Sequence, residues 1–148
     1  MIFQRVNRSD PERVFVVMLS NETCAADDAV QLELNSASVD GVKIRLPDTA
    51  NEFAFVGVAD AAITSGSYGL VQVYGYRSTS RVFQTNTTQA TGLPLTPTAG
   101  QVYWQSYNTV ITSTSDVTRI PVFACLMESI ASSSASATIS KKVFVRAL

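Results

Sequence analysis

Two stretches decide the fold class: Val14-Phe15-Val16-Val17-Met18-Leu19 and Val42-Lys43-Ile44-Arg45-Leu46. The first is a continuous β-branched and aromatic run of strand length, the pattern of a strand buried on both faces. In the second, apolar and basic side chains alternate strictly. A strand with that alternation puts Val42, Ile44 and Leu46 on one face and Lys43 and Arg45 in solvent. Pro47 follows and stops the ladder for want of an N–H. Working outward, the same reading predicts strands at Phe53–Ala59, Leu70–Tyr76, Val102–Tyr107, Val117–Ile120, Pro121–Met127 and Lys142–Ala147. Turn chemistry separates them at Asp40-Gly41, Ser65-Gly66, Leu93-Pro94, Thr96-Pro97 and Ala99-Gly100. Helical signals are few. Residues 22–34 hold a short amphipathic possibility, and Ala59–Ile63 and Met127–Ala131 one turn each; none has the three or four turns that a core helix needs. The expected fold is all-β, a small barrel or sandwich with at most short helical turns.

The chain has 148 residues. That length suits one domain, large enough to bury roughly 68% of its extended-state surface. We read residues 1–13 as an N-terminal arm and 14–148 as a single β domain. The Ser/Ala tract from Ser129 to Ser140 reads as a loop inside that domain, because the eight residues after it form a final alternating strand. A hydrophobic fraction of 46% against 16% charged excludes a disordered tail. No run approaches the roughly 18 apolar residues of a membrane span, and no basic-then-apolar signal opens the chain.

Charge and side-chain chemistry argue against most enzymes. There is no histidine, which removes the commonest general base and the commonest transition-metal ligand. The net charge of −1 makes no electrostatic case for nucleic acid. With 17 serines and 15 threonines, hydroxyl groups cover surface that charge would otherwise occupy. Between Ala61 and Ser115 the only charges are Arg77 and Arg81. A stretch so poor in charge lies against something, either its own core or a partner. Cys24 and Cys125 are the only cysteines. They read as two reduced, partly buried thiols; a bridge between them would need Cα atoms within about 7 Å, which sequence leaves open.

The individual motifs have plain structural readings. Ser65-Gly66-Ser67-Tyr68-Gly69 lacks the G-x-S-x-G spacing of a nucleophile elbow and reads as a hairpin turn. Ser140 and Lys141 are adjacent, so on a strand they point to opposite faces. Asp27 and Asp28 read as a solvated acidic edge without the spacing of a calcium loop. Tyr68, Tyr74, Tyr76, Tyr103, Trp104 and Tyr107 crowd one region. Stacking on single-stranded nucleic acid also wants a basic groove, and only Arg77 and Arg81 are near. We therefore place these rings at core margins and subunit contacts, where Tyr and Trp do well. The strands between Leu70 and Tyr107 are the expected contact surface, with Tyr74, Tyr76, Arg77, Arg81, Tyr103, Trp104 and Tyr107 as candidate partner contacts. Arg5 and Arg8 are further candidates, on an arm reaching to a neighbour. No catalytic, cofactor or metal site is predicted.

Two segments echo each other. Phe55-Val56-Gly57-Val58-Ala59-Asp60-Ala61-Ala62-Ile63 leads through a Gly/Ser turn into Tyr68–Val73. Phe123-Ala124-Cys125-Leu126-Met127-Glu128-Ser129-Ile130-Ala131 leads through a Ser/Ala turn into Lys142–Val145. Aligned on the acids Asp60 and Glu128, the isoleucines fall one residue out of step. A physical account is a strand ending in a short turn near the acid, with Ile plugging the end of a barrel.

Gly57 to Gly75, followed by Thr91-Gly92-Leu93-Pro94-Leu95-Thr96-Pro97, resembles the capsid decoration (cement) proteins of tailed bacteriophages. Those proteins carry a small-residue strand, an acid and Ile, a Gly turn into a G-x-V-Q-V-x-G strand, a G-x-P-L-x-P segment and a late strand–acid–strand unit. Residues 55–97 and 121–147 carry the resemblance. It implies a small β-barrel or β-tulip domain that binds the outside of the icosahedral shell and bridges neighbouring copies of the major capsid protein, often as a trimer. It implies a location on the virion surface and no cofactor, nucleic acid or membrane. The first 50 residues do not match the pattern, and Cys125 stands where it favours glycine. The rival expectations are another virion component, such as a tail-tube or head–tail joining protein, and a carbohydrate-binding β module stacking sugar on Trp104.

Overall fold

The computed structural model describes residues 12–34, 41–48, 54–97, 104–106 and 122–147. Nearly all of the expected arm and the strand expected at Val117–Ile120 lie outside these residues. Within them the chain runs β1 (Arg13–Ser20), β2 (Ala29–Leu32), β3 (Lys43–Arg45), β4 (Phe55–Ala59), β5 (Tyr68–Arg77), β6 (Arg81–Gln84), β7 (Pro94–Pro97), β8 (Trp104–Ser106), β9 (Ala124–Leu126), β10 (Ala137–Ser140) and β11 (Val143–Arg146). No α-helix occurs among the described residues. The all-β expectation holds. Three local expectations do not. The amphipathic stretch at 22–34 is a turn leading into β2, and Pro94–Pro97, expected as two turns, is β7. The Ser/Ala tract, expected to be a loop, ends in β10.

The first five strands close on themselves. β1 pairs with β3 in parallel, β3 with β2, β2 with β4 and β4 with β5 antiparallel, and β5 returns to β1 antiparallel. Closure leaves no free edge in this ring. Its interior is filled by Cys24, Val30, Ile44, Ala59, Ile63, Val71 and Val73, each at most 3% exposed.

The remaining strands repeat the plan. β6 pairs with β8 in parallel; β8 with β7, β7 with β9 and β9 with β11 are antiparallel; β10 pairs antiparallel with β6. β10 and β11 are the two halves of the strand equivalent to β5, separated only by Lys141 and Lys142. The correspondence reaches individual hydrogen bonds. Cys24 and Ile63 exchange both backbone bonds at 2.9 Å, as do Gln89 and Ile130. The Asp27 N–H donates to the Ala59 carbonyl at 3.0 Å, and the Gly92 N–H to that of Leu126 at 2.8 Å. Asp27 and Gly92 both have positive φ, 69° and 87°. This turn therefore requires the left-handed region, which Gly enters freely and Asp tolerates.

The chain is thus an internal duplication, and the echo in the sequence is a fragment of it. The structure sets Ile63 against Ile130, so the acids are what fall out of step: Asp60 corresponds to Met127, each N–H meeting the equivalent carbonyl of Leu70 or Lys142. The two bridging isoleucines are 3% and 1% exposed, each packed in the core of its own repeat.

The cores correspond too. Val30, Ile44, Ala59, Val71 and Val73 of the first repeat match Leu95, Trp104, Leu126, Val143 and Val145 of the second. The second core also receives Ala29, Phe55 and Val58 from the outer wall of the first barrel. Phe55 meets Trp104 edge-on, with centroids 4.6 Å apart, and Phe123 at 4.8 Å. A fully buried aromatic of this kind contributes about 3 kcal/mol through burial alone. Antiparallel pairing of β11 with β5 adds a backbone seam between the halves. At that seam β5 bends through Gly75, φ +102°, where a Cβ would stand 1.9 Å from the Glu12 carbonyl oxygen.

Candidate interaction surfaces

Antiparallel register determines which side chains share the outer wall of the first barrel. Val16 lies opposite Val71 and Met18 opposite Gly69, and these positions face the core. Their neighbours face outward: Val17 opposite Leu70, Leu19 opposite Tyr68, and Val14 opposite Tyr74. Val17 is 64% exposed, Leu70 48% and Tyr68 67%. The wall continues onto β11, where Phe144 lies opposite Tyr76 and its ring meets that of Tyr74 edge-on at 5.3 Å. The uninterrupted run Val14–Leu19, expected to be buried on both faces, is covered on one face only. That departure is the sequence signal for this surface, and Val17, Tyr68 and Leu70 are the residues that the list of candidate contacts lacked.

The turns of both barrels offer further candidate contacts. Among residues 61–97 every exposed residue is uncharged: Ala61, Ala62 and Thr64–Tyr68, then Leu70, Ser78 and Thr79, then Asn86–Thr88 and Ala90–Gly92. Both arginines of this stretch are committed to ion pairs. Arg77 is 6% exposed. Its Nη2 lies 2.7 Å from Asp27 Oδ1 and 2.9 Å from the Ala59 carbonyl, and its Nη1 3.1 Å from Asp60 Oδ1 and 3.2 Å from Gln72 Oε1. Thr79 Oγ1 donates to the same Asp27 oxygen at 3.1 Å. Arg81 Nη1 pairs with Asp28 Oδ1 at 2.7 Å. The carboxylates read as a solvated acidic edge are therefore the anchors of this network, and Asp28 is only 3% exposed. The network ties the turn before β2 to β5 and to the β5–β6 connection, so its role is to hold the two repeats in register.

The sequence-predicted contact residues divide accordingly. Tyr74 and Tyr76 are half-buried on the outer wall. Arg77 belongs to the interior network, and Arg81 is partly covered by its pair with Asp28. Trp104 is fully buried and donates from Nε1 to Ser80 Oγ at 2.7 Å, so it is no stacking platform for sugar or base. It occupies the position of Ile44 in a core that has room for a larger ring. Arg5, Arg8, Tyr103 and Tyr107 lie outside the described residues.

The two thiols are unbridged. Cys24 is buried, its Sγ 3.4 Å from Ser20 Oγ. Burial pushes its pKa up, the Ser20 hydrogen bond opposes that shift, and the nearby charges of Asp28 and Glu22 add to it. Among the described residues no three His, Cys, Asp or Glu side chains are grouped to hold a metal ion, and no helix is long and apolar enough to cross a membrane.

No protein-family model matches this chain, and no curated protein matches it. Among solved structures it is similar to the N base of the head fiber gp8.5 of bacteriophage phi29. The identity is 13%, the match covers 92% of this chain and 96% of that one, and the TM-score is 0.48.

Proposed function

We propose that this chain is a non-enzymatic structural component of a tailed-phage head, a decoration protein that docks on the outside of the shell and bridges neighbouring capsid subunits. The observation that carries the reading is the lack of charge on the exposed turns of residues 61–92, which are carried by two fused barrels. A partner can cover hydroxyl and small apolar groups without stripping water from unpaired charges, which is the costly part of forming an interface. Of the two arginines that would impose that cost, Arg77 is paired inside the fold, and Arg81, though 38% exposed, is paired with buried Asp28. The resemblance of residues 55–97 and 121–147 to decoration proteins supports the same reading. A shell presents many equivalent sites, so modest interfaces multiplied by symmetry suffice to stabilise it.

The test is reconstitution. Purified protein is added to expanded shells stripped of it, and the temperature of shell disassembly is measured. The expected result is rebinding with a raised disassembly temperature, lost in the variant Thr87→Lys/Thr91→Lys, whose own thermal melt is unchanged. Absence of rebinding to any shell sinks the reading. Rings or stacked tubes of the protein alone would instead identify a tail-tube or joining protein. Glycan binding abolished by Tyr68→Ala would identify a carbohydrate module.

A further inference from the structure

The outer wall of β1 and β5 raises a question that the capsid reading does not answer: why a closed barrel keeps an apolar face in water. The duplication supplies an internal control. The register that sets Leu70 against Lys142 makes Ser140, at the end of β10, the counterpart of Tyr68. Leu19 opposite Tyr68 then answers to Arg81 opposite Ser140, and Ser140 and Lys142 are both exposed. The same backbone thus carries two cations and a hydroxyl in one repeat. In the other it carries Leu19, Leu70 and Tyr68. The barrel does not demand apolar residues at these positions, so their presence in the first repeat reflects something that covers them.

We propose that the covering partner is a second copy of this chain, packed wall to wall through the outer faces of β1 and β5. Three observations support a self-contact. The register positions Val14, Phe15, Val17, Leu19, Tyr68, Leu70 and Tyr74 carry no charge, so the face offers no electrostatic key to a dissimilar partner and is complementary to itself. Interfaces between identical chains are the more apolar class. The area also fits: the exposed parts of Val14, Val17, Tyr68 and Leu70 come to roughly 400 Å², the size of a functional patch. Two copies would bury roughly 800 Å² from these four alone, and the half-buried Phe15, Leu19 and Tyr74 bring the contact to the ~1,000 Å² that a specific interface needs. The contact predicted is a reversible dimer in which β1 and β5 of one copy face those of the other as packed sheets. It does not depend on the capsid reading, because it is measured on the free protein.

The experiment is sedimentation of the full chain over a concentration series, with Val17→Asp/Leu70→Asp alongside. The wild type is expected to move from one copy to two as concentration rises. The double variant is expected to stay monomeric, its dissociation constant raised by roughly 100-fold or more. Both positions are exposed in the single chain, so its thermal melt at low concentration should match the wild type. Cross-linking gives a second readout in a Cys125→Ser background. Leu70→Cys should form a disulfide between copies, while Lys142→Cys, at the matching position of the second repeat, should not. A wild type that remains monomeric at high concentration, or a double variant that still dimerises, overturns the proposal. So does equal cross-linking at both positions. Should the wild type be monomeric while the double variant loses shell rebinding, the occupant of this wall is the capsid, and the self-contact is again refuted.

Discussion

Replacing Asp27 by glycine sets two effects of the fold against each other, and their sizes decide the outcome. Asp27 sits at φ 69°, a conformation that costs a non-glycine residue about 1 kcal/mol and that its counterpart Gly92 adopts freely. On backbone grounds alone Asp27→Gly should stabilise, less a few tenths for the extra freedom of the unfolded chain. Against this, Asp27 Oδ1 is 2.7 Å from Nη2 and 3.1 Å from Nε of Arg77, whose side chain is 7% exposed. Removing one partner of a buried pair costs about 3 kcal/mol, chiefly because the other charge is left with too few acceptors. Asp60 tempers that loss only partly, since its side chain is 41% exposed and its contact longer. The net expectation is a destabilisation of about 2 kcal/mol, or about 6 °C in melting temperature for a chain of this size. In an Arg77→Met background the pair is already gone, and the same substitution should be neutral or slightly stabilising. Urea and thermal denaturation of the four proteins give the coupling directly, expected at about 2 kcal/mol or more. A higher melting temperature for Asp27→Gly in the wild-type background, or equal effects in both backgrounds, would refute the account of the network.

Three further outcomes follow from the cores. Trp104→Ala should cost about 4 kcal/mol by opening a cavity beside Phe55, whereas Trp104→Phe should cost about 2 kcal/mol, mostly through the orphaned Ser80 hydroxyl; equilibrium unfolding distinguishes them, and a negligible cost for the alanine variant would contradict the packing. Cys24, buried with a raised pKa, should resist alkylation in the folded protein while the half-buried Cys125 reacts, as peptide mapping after brief labelling would show. Because the folded thiol holds its proton to higher pH than the unfolded one, its contribution to stability is complete below the ordinary thiol pKa. It is lost progressively as pH rises from there toward the folded value. Cys24→Ala should flatten that alkaline loss, and an unchanged pH profile would count against it.

What the sequence made legible was whatever the strand itself carries. The run Val14–Leu19 and the alternation Val42–Leu46 mark β1 and β3 because their side chains show a period of two or an unbroken apolar surface. β2, β6 and β10 were not legible. Ala29–Leu32 includes a buried glutamine, Arg81–Gln84 is half polar, and Ala137–Ser140 lies in a tract of serine and alanine. These segments become strands because ring closure supplies their partners, a tertiary effect that propensity does not encode. The duplication was visible only where both repeats kept similar residues, and the pair of acids misled its register. The true register is set by the Cys24–Ile63 and Gln89–Ile130 bridges, whose first members share no chemistry. The candidate contacts were legible in kind. Tyr74 and Tyr76 do lie on the outer wall, but nothing local told Arg77 and Trp104 apart from surface residues. Their burial depends on Asp27, Asp60 and Ser80, all distant along the chain.

The differences between the repeats carry the remaining meaning, since whatever the barrel itself requires is present in both. Each keeps the bridge to a buried isoleucine, the left-handed turn before the second strand and the buried valine pair on the fifth. In the first repeat β5 runs unbroken for 10 residues and bends at Gly75, so it can serve β4 and β1 and still reach β11. In the second the equivalent strand is interrupted at Lys141–Lys142, which lets β10 stay with β6 while β11 joins β5. The break and the bend together create the seam. Trp104 in place of an isoleucine creates the pocket that Phe55 fills, and the Arg77 network, whose carboxylates Asp27 and Asp60 answer to Gly92 and Met127 in the second repeat, fastens the remaining side. These three departures are spent on joining the halves. The fourth, the apolar outer wall of β1 and β5, joins nothing among the described residues, and for that reason it points to a contact beyond them.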